Sequence, residues 1–182
     1  MLELIFLLIG LVCACIWIFN KLVADRNQMR SAWSDIDVQL KRRHDLIPQL
    51  LATVSAYAEY EKAALLAVTE LRTRSELAQH LPEKAALEDK LQMNIQSLVA
   101  VAENYPDLKA DQNFRQLQTE LTEIENHIQY ARRFYNGAVR ILNTRIQSFP
   151  HFVVARPFGF KVAEFFQIDN AAERQTVGVK LD

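Results

Sequence analysis

Apolar residues fill the start of the chain and then thin into a helical rhythm. Leu4 to Phe19 is an uninterrupted run of sixteen uncharged residues, and Lys21, Asp25, Arg26 and Arg30 follow directly after Asn20. As a helix, such a run spans about 24 Å, against about 30 Å for a typical hydrocarbon core. Leu2 on one side and Leu22, Val23 and Ala24 on the other can close the gap, with the Lys21 ammonium reaching for the headgroups while its stem stays in lipid. The pattern predicts a transmembrane anchor over residues 1–24. A cleaved signal peptide fits less well: Met1-Leu2-Glu3 is not basic, and Ile16-Trp17-Ile18-Phe19 is too bulky for a cleavage site. Lipid attachment at Cys15 suits Ala14 before it but not the apolar residues after it. A buried soluble helix is the remaining rival.

Beyond Lys21 the apolar positions alternate at three and four. Trp33, Ile36, Leu40, Ile47, Leu50, Val54, Tyr57, Ala64, Val68 and Leu71 form one helix face, interrupted at Arg43 and Glu61. Pro48 cannot donate to the carbonyl of His44. Asp45 could cap a new start, so the segment is either one helix through Pro48 or two abutting helices. A second helix opens at Leu81-Pro82-Glu83 and carries Leu87, Leu91, Leu98, Val101 and Tyr105, with Ile95 and Ala102 beside them. Pro106 ends it. The third is N-capped by Asp111. It keeps its seam through Phe114, Leu117, Leu121, Ile124, Ile128, Ala131, Tyr135, Ala138, Leu142 and Phe149, with Arg145 as the one break, and stops at Pro150.

Six of the ten phenylalanines lie between Phe149 and Phe166, among Pro150, Pro157 and Gly159. This segment either caps the open end of the bundle or presents an aromatic patch to a partner or a bilayer. From Asp169 the chain is polar and reads as a tail. The expected fold is all-α: an N-terminal single-pass transmembrane helix followed by an antiparallel bundle of three to four long helices. Its divisions are an anchor over 1–24, a bundle over 25–166 and a polar tail over 167–182.

Charge narrows the choice of partner. The chain has 21 Lys and Arg against 22 Asp and Glu, so no global basic field exists to hold nucleic acid. Cationic residues gather after the apolar run, at Lys21, Arg26, Arg30 and Lys41-Arg42-Arg43, which predicts an outward N-terminus and a cytoplasmic body at the inner membrane. Cys13 and Cys15 both fall in the apolar run and point about 200° apart on a helix, so they cannot bridge within one chain.

Candidate chemistry is sparse. Lys41-Arg42-Arg43-His44-Asp45 is the densest charged cluster. A His-Asp pair can be half of a metal-dependent phosphohydrolase site, but only His80, His127 and His151 remain to complete it. A solvated helix face is the simpler reading. Glu76/His80 and Glu123/His127 share faces four residues apart without a third convergent ligand, and no Glu-x-x-His pair occurs. No catalytic, cofactor-binding or metal-binding residue is assigned. Arg42, Arg43, His44 and Asp45 are taken as the candidate interaction surface.

Ala32-Trp33-Ser34-Asp35-Ile36-Asp37-Val38-Gln39-Leu40 continuing through Lys41–Pro48 resembles the signature of the bacterial LemA family. Tyr105-Pro106-Asp107-Leu108-Lys109-Ala110, then Asn113-Phe114, Leu117-Gln118 and Glu120-Leu121, resembles a second signature; Ala131-Arg132-Arg133-Phe134-Tyr135-Asn136 and Phe149-Pro150 resemble a third. The resemblance covers about residues 20 to 166. It implies a single-pass anchor and a cytoplasmic antiparallel bundle of long helices, and it does not imply an enzyme; no cofactor is expected. It also implies a link, in some relatives, to building membrane compartments. It assigns no functional residue. The expected partners are membrane lipid, through residues 4–24, and an unidentified protein, with self-association left open. The leading reading is a scaffolding or protein-interaction module. A membrane-shaping module that self-associates is the alternative, and a metal-dependent hydrolase is the least favoured.

Overall fold

The computed structural model describes residues 1–56, 62–102 and 104–166. Tyr57 and Glu61 of the first stripe, and the expected tail at 167–182, lie outside these. The chain is helical: α1 (Leu2–Ser55), α2 (Lys62–Leu77), α3 (Leu81–Ala102), α4 (Pro106–Ala110), α5 (Gln112–Gln147) and α6 (His151–Ala155). No strand occurs among the described residues.

Helix α1 passes Pro48 unbroken. The proline costs about 3 kcal/mol in a helix interior. It lies on the exposed side, while Ile47, Leu50 and Val54 around it are almost completely buried against α3, α4 and α5. Full burial of each such side chain stabilises by about 1.5–3 kcal/mol, so continuity wins over a break. Helix α3 starts at Leu81 as the sequence predicts. Pro106 does more than end it, because it opens the short α4. Asp111 caps α5, its carboxylate accepting from the Phe114 N–H at 2.9 Å.

Helices α1 and α5 pack antiparallel over most of the body. Asp25 pairs with Arg145 near one end, and Arg43 pairs with Glu125 further along. Helices α2 and α3 form a hairpin against them, joined by residues 78–80.

The core falls into three apolar blocks along this axis. Ile47, Leu50, Val54, Leu91, Leu98 and Phe114 belong to the first. Ala32, Ile36, Leu40, Ile128, Tyr135 and Phe166 belong to the second. Ile18, Leu22, Leu142, Ile146, Val154 and Phe160 belong to the third. Buried charge sits at each junction: Arg43 and His44 between the first and second blocks on α1, Asp25 between the second and third.

No helix boundary falls at residue 24. Every residue from Met1 to Trp17 is exposed, and burial begins at Ile18. Ile18 and Leu22, both within the expected anchor, pack on α5 and α6.

The phenylalanine-rich segment divides between its two expected roles. Phe160 and Phe166 are buried, while Phe149 and Phe158 are 78% and 63% exposed. Residues 161–165 run without helix along α5 and are strapped to it by two asparagines. Asn143 donates to the Ala163 carbonyl and accepts from its N–H, both at 2.8 Å. Asn136 makes the same exchange with Phe166, at 3.1 and 2.9 Å. One heptad of helix and three extended residues each rise about 10 Å, so the two amide pairs stay in register. Tyr135 adds a bond from its hydroxyl to the Glu164 carbonyl at 3.0 Å. Burial and the Glu164 carboxylate both push its phenol above the ordinary value.

Candidate functional site

The four residues proposed as a surface point in two directions. Arg43 and His44 are 1% and 5% exposed; Arg42 and Asp45 stay in solvent. The expectation of one continuous surface from Arg42 to Asp45 is corrected for its middle pair. The cause is helical register: Arg43 follows Ile36 and Leu40 and precedes Ile47 and Leu50 on the buried stripe, so its side chain must enter the core.

What receives it is Glu88 on α3, also fully buried. The Arg43 guanidinium pairs with the Glu88 carboxylate through Nη2, which also donates to the Glu88 carbonyl at 3.3 Å. Its Nη1 donates to Gln92 Oε1 at 3.1 Å and to Glu125 Oε2 at 3.0 Å. His44 Nε2 lies 2.8 Å from Glu88 Oε1, and Ser75 on α2 donates its hydroxyl to the same oxygen. A carboxylate only accepts, so His44 Nε2 carries the proton. Its Nδ1 faces Glu76 Oε1 at 3.5 Å, and Glu76 is also held by Arg72 at 3.2 Å. Side chains from α1, α2, α3 and α5 thus meet in one knot.

Burial alone would raise the Glu88 pKa. The His44 hydrogen bond, the charges of Arg43 and His44, and the Ser75 hydroxyl override it and hold the carboxyl at about 2. Glu88 is therefore an ionised acceptor already used by its neighbours. Arg43 spends both Nη groups on these partners, and its Nε is buried without one, closed off from solvent. The knot locks four helices in register. Among the described residues no three His, Cys, Asp or Glu side chains converge as a metal-binding group.

The exposed members of the quartet differ from this knot. Among the described residues Asp45 pairs with Lys41, one turn away and also exposed, at 3.2 Å. Arg42 continues a stripe of α1 that includes Asp35 and Val38, at three- and four-residue steps. Next to it α5 presents His127, Tyr130 and Phe134, and together with Asp35, Val38, Gln39 and Ala131 they line a shallow groove of about 360 Å³. Val38, Tyr130 and Phe134 are 52%, 66% and 52% exposed. The Arg133 guanidinium stacks 4.7 Å from the Tyr130 ring centre. The groove thus combines large apolar groups with charged ones at its edge, a composition common in protein interfaces.

Sequence reading did not find this groove, because Tyr130 and Phe134 sit off the buried seam of α5. The signal was present: two aromatics four residues apart, on the flank of a well-formed apolar stripe. Glu88, Gln92, Ser75 and Glu125 were also missed. Their signal was weaker, a single acid within the apolar stripe of α3.

The LemA family model matches residues 32–181. The chain belongs to the LemA family. The match begins inside α1, past the exposed apolar run, and extends through the residues read as a polar tail. Protein LemA of Metamycoplasma hominis is 27% identical over 161 residues, covering 88% of this chain and 72% of the relative. Magnetosome proteins MamQ 1 and MamQ 2 of Paramagnetospirillum magneticum are each 24% identical over 189 residues, covering 90% of this chain and 70% of each relative. The all-helical architecture, with a long N-terminal apolar helix ahead of a helical body, is as the LemA resemblance implied.

Proposed function

We propose that this LemA-family chain is a non-enzymatic, membrane-tethered interaction module that holds a protein partner at a fixed distance from the bilayer. The observation that carries the reading is the continuity of α1. One helix leaves the exposed apolar run, enters the body at Ile18 and continues to Ser55 without a break. Anchor and bundle are then one rigid piece, and the α1–α5 groove stands beyond the apolar end at a height fixed by helical rise.

The clustered basic residues after the apolar run favour a cytoplasmic body at the inner membrane. The non-enzymatic reading is supported by how the densest charged cluster is used: Arg43, His44 and Glu88 satisfy one another inside the fold. The partner face is taken to be the groove of Val38, Tyr130 and Phe134, with Arg42 one turn beyond Val38.

A photoreactive amino acid at Phe134 in the full-length, membrane-embedded protein tests the partner face. The expected result is a discrete crosslinked protein that disappears when Val38→Asp is added. A probe at Glu70 on α2, which is well exposed, should give no such product. Equal yield at both sites, or yield indifferent to Val38→Asp, would reject the groove.

A further inference from the structure

The exposed apolar stretch of α1 is short for a bilayer. Glu3 bounds it on one side and the buried Ile18 on the other. Leu4 to Trp17 is fourteen residues, or about 21 Å of helix against about 30 Å of hydrocarbon. The missing length has to come from bilayer thinning, from snorkelling of flanking residues or from the part of the protein that begins at Ile18. That part is unusually apolar on its outside.

Around the level of Trp17 to Leu22, α1 is flanked by α6 and the turn after it. Trp17 and His151 lie with ring centres 6.3 Å apart, and Phe19 meets Phe158 at 4.9 Å and Phe160 at 5.9 Å. Ile18 and Leu22 share a core with Val154, Ala155 and Phe160. These contacts fix α6 beside the end of the apolar run. The outward side chains on α6 and its flanking turns are nonetheless greasy: Phe149, Val153 and Phe158 are 78%, 55% and 63% exposed. Cations fringe them. Lys21, Arg156 and Lys161 are exposed, and Arg156 stacks 5.5 Å from the Phe152 ring centre. Aromatic rings with Lys and Arg beside them are the composition favoured at a membrane–water interface.

We infer that Phe149, Val153 and Phe158 form a lipid-facing shelf, which sinks into the bilayer interface beside the apolar helix and completes its short span. This rests on the tether reading above, and adds to it a second contact with lipid made by α6 and its flanking turns, at the end of the body next to the apolar run. The occupant is the bilayer surface: the patch is continuous with the exposed apolar face of α1, and its cationic edge suits anionic headgroups. Anchored at two points, the bundle cannot swivel freely about α1, so the orientation of its other faces to the membrane is set.

The test uses the full chain in vesicles of phosphatidylcholine with a minority of phosphatidylglycerol, with or without acyl chains brominated near the headgroup. In a Trp17→Phe, Trp33→Phe background, Phe149→Trp and Phe158→Trp each place one indole on the shelf, and Val38→Trp places one on the distant groove. Because Phe149 is the most exposed of the three, its variant keeps the fold even if Phe158→Trp disturbs the contact with Phe19. Native Trp17, read alone in a Trp33→Phe variant, reports insertion of the helix itself. Brominated lipid should quench the shelf indoles severalfold more than the one at position 38. If Trp17 is quenched and both shelf indoles behave like position 38, the shelf is wrong and the tether stands. If Trp17 is not quenched either, tether and shelf fall together.

Discussion

Two stretches of α1, an outer one over 2–17 and an inner one over 18–55, make one helix with two kinds of surface. From Leu2 to Trp17 every side chain is exposed, and almost every one is apolar. From Ile18 to Ser55 one face is buried at three- and four-residue steps, and the rest is largely polar. Among the described residues nothing buries the outer stretch, so its exposed leucines and isoleucines call for another apolar phase. The inner stretch satisfies its apolar face with α3, α5 and α6, and it tolerates Asp25, Arg43 and His44 in the core because each finds a partner there. The difference lies in apolar content all round the helix as well as in charge: the outer stretch is apolar on every face, and the inner one carries its charges where protein partners meet them.

Substitutions at the Arg43 knot should break this contrast most sharply. Arg43→Met leaves Glu88 buried without its main counter-charge, and loss of one member of a buried pair costs about 3–5 kcal/mol. Chemical denaturation of the full chain in detergent micelles should show that loss, whereas an equal change at Lys41 should not. Acid gives the next largest effect. The Glu88 carboxyl is held below its ordinary 4.5, at about 2. Its contribution is full above the ordinary value and is lost as pH falls from there toward the folded value. A shift of this size corresponds to about 3 kcal/mol. Stability measured against pH should drop across that window, and Glu88→Gln should flatten the drop while lowering stability at neutral pH.

A smaller effect is expected at the strap. Asn143→Ala removes the two bonds to Ala163 and should cost about 1–3 kcal/mol. Amide exchange should accelerate over residues 160–166 and remain slow in α3. At the surface, Asp45→Ala should change stability by about 0.5 kcal/mol or less, because its pair with Lys41 is exposed. A loss at Asp45 as large as that at Arg43 would mean that the division between core and solvent along α1 has been misplaced.

Most of the architecture was legible from apolar spacing. The α5 seam, the Asp111 cap and the start at Leu81 follow from local rules that tertiary contacts did not override. The seam also carried information that its spacing alone did not yield. Arg43 and Arg145 stand at seam positions, where a charge is an interruption to a periodicity count but one half of a buried pair to the fold. The other halves, Glu88 and Asp25, lie 45 and 120 residues away, beyond any local pattern. Reading Arg42 to Asp45 as a block ignored the 100° turn between neighbours that sends Arg43 inward and Arg42 outward. The phenylalanine-rich segment could not be divided for a similar reason. Which rings are buried depends on Asn136 and Asn143 holding residues 161–166 against α5, and a single asparagine on a polar helix face gives no sign of that task.

On the proposed function, the outer stretch of α1 lies in lipid and is continuous with the bundle. Flotation of membranes on a density gradient after an alkaline carbonate wash tests it most directly. The full-length, uncleaved chain should float with the vesicles and leave them only in detergent. Its recovery in the wash as a free monomer would contradict the account.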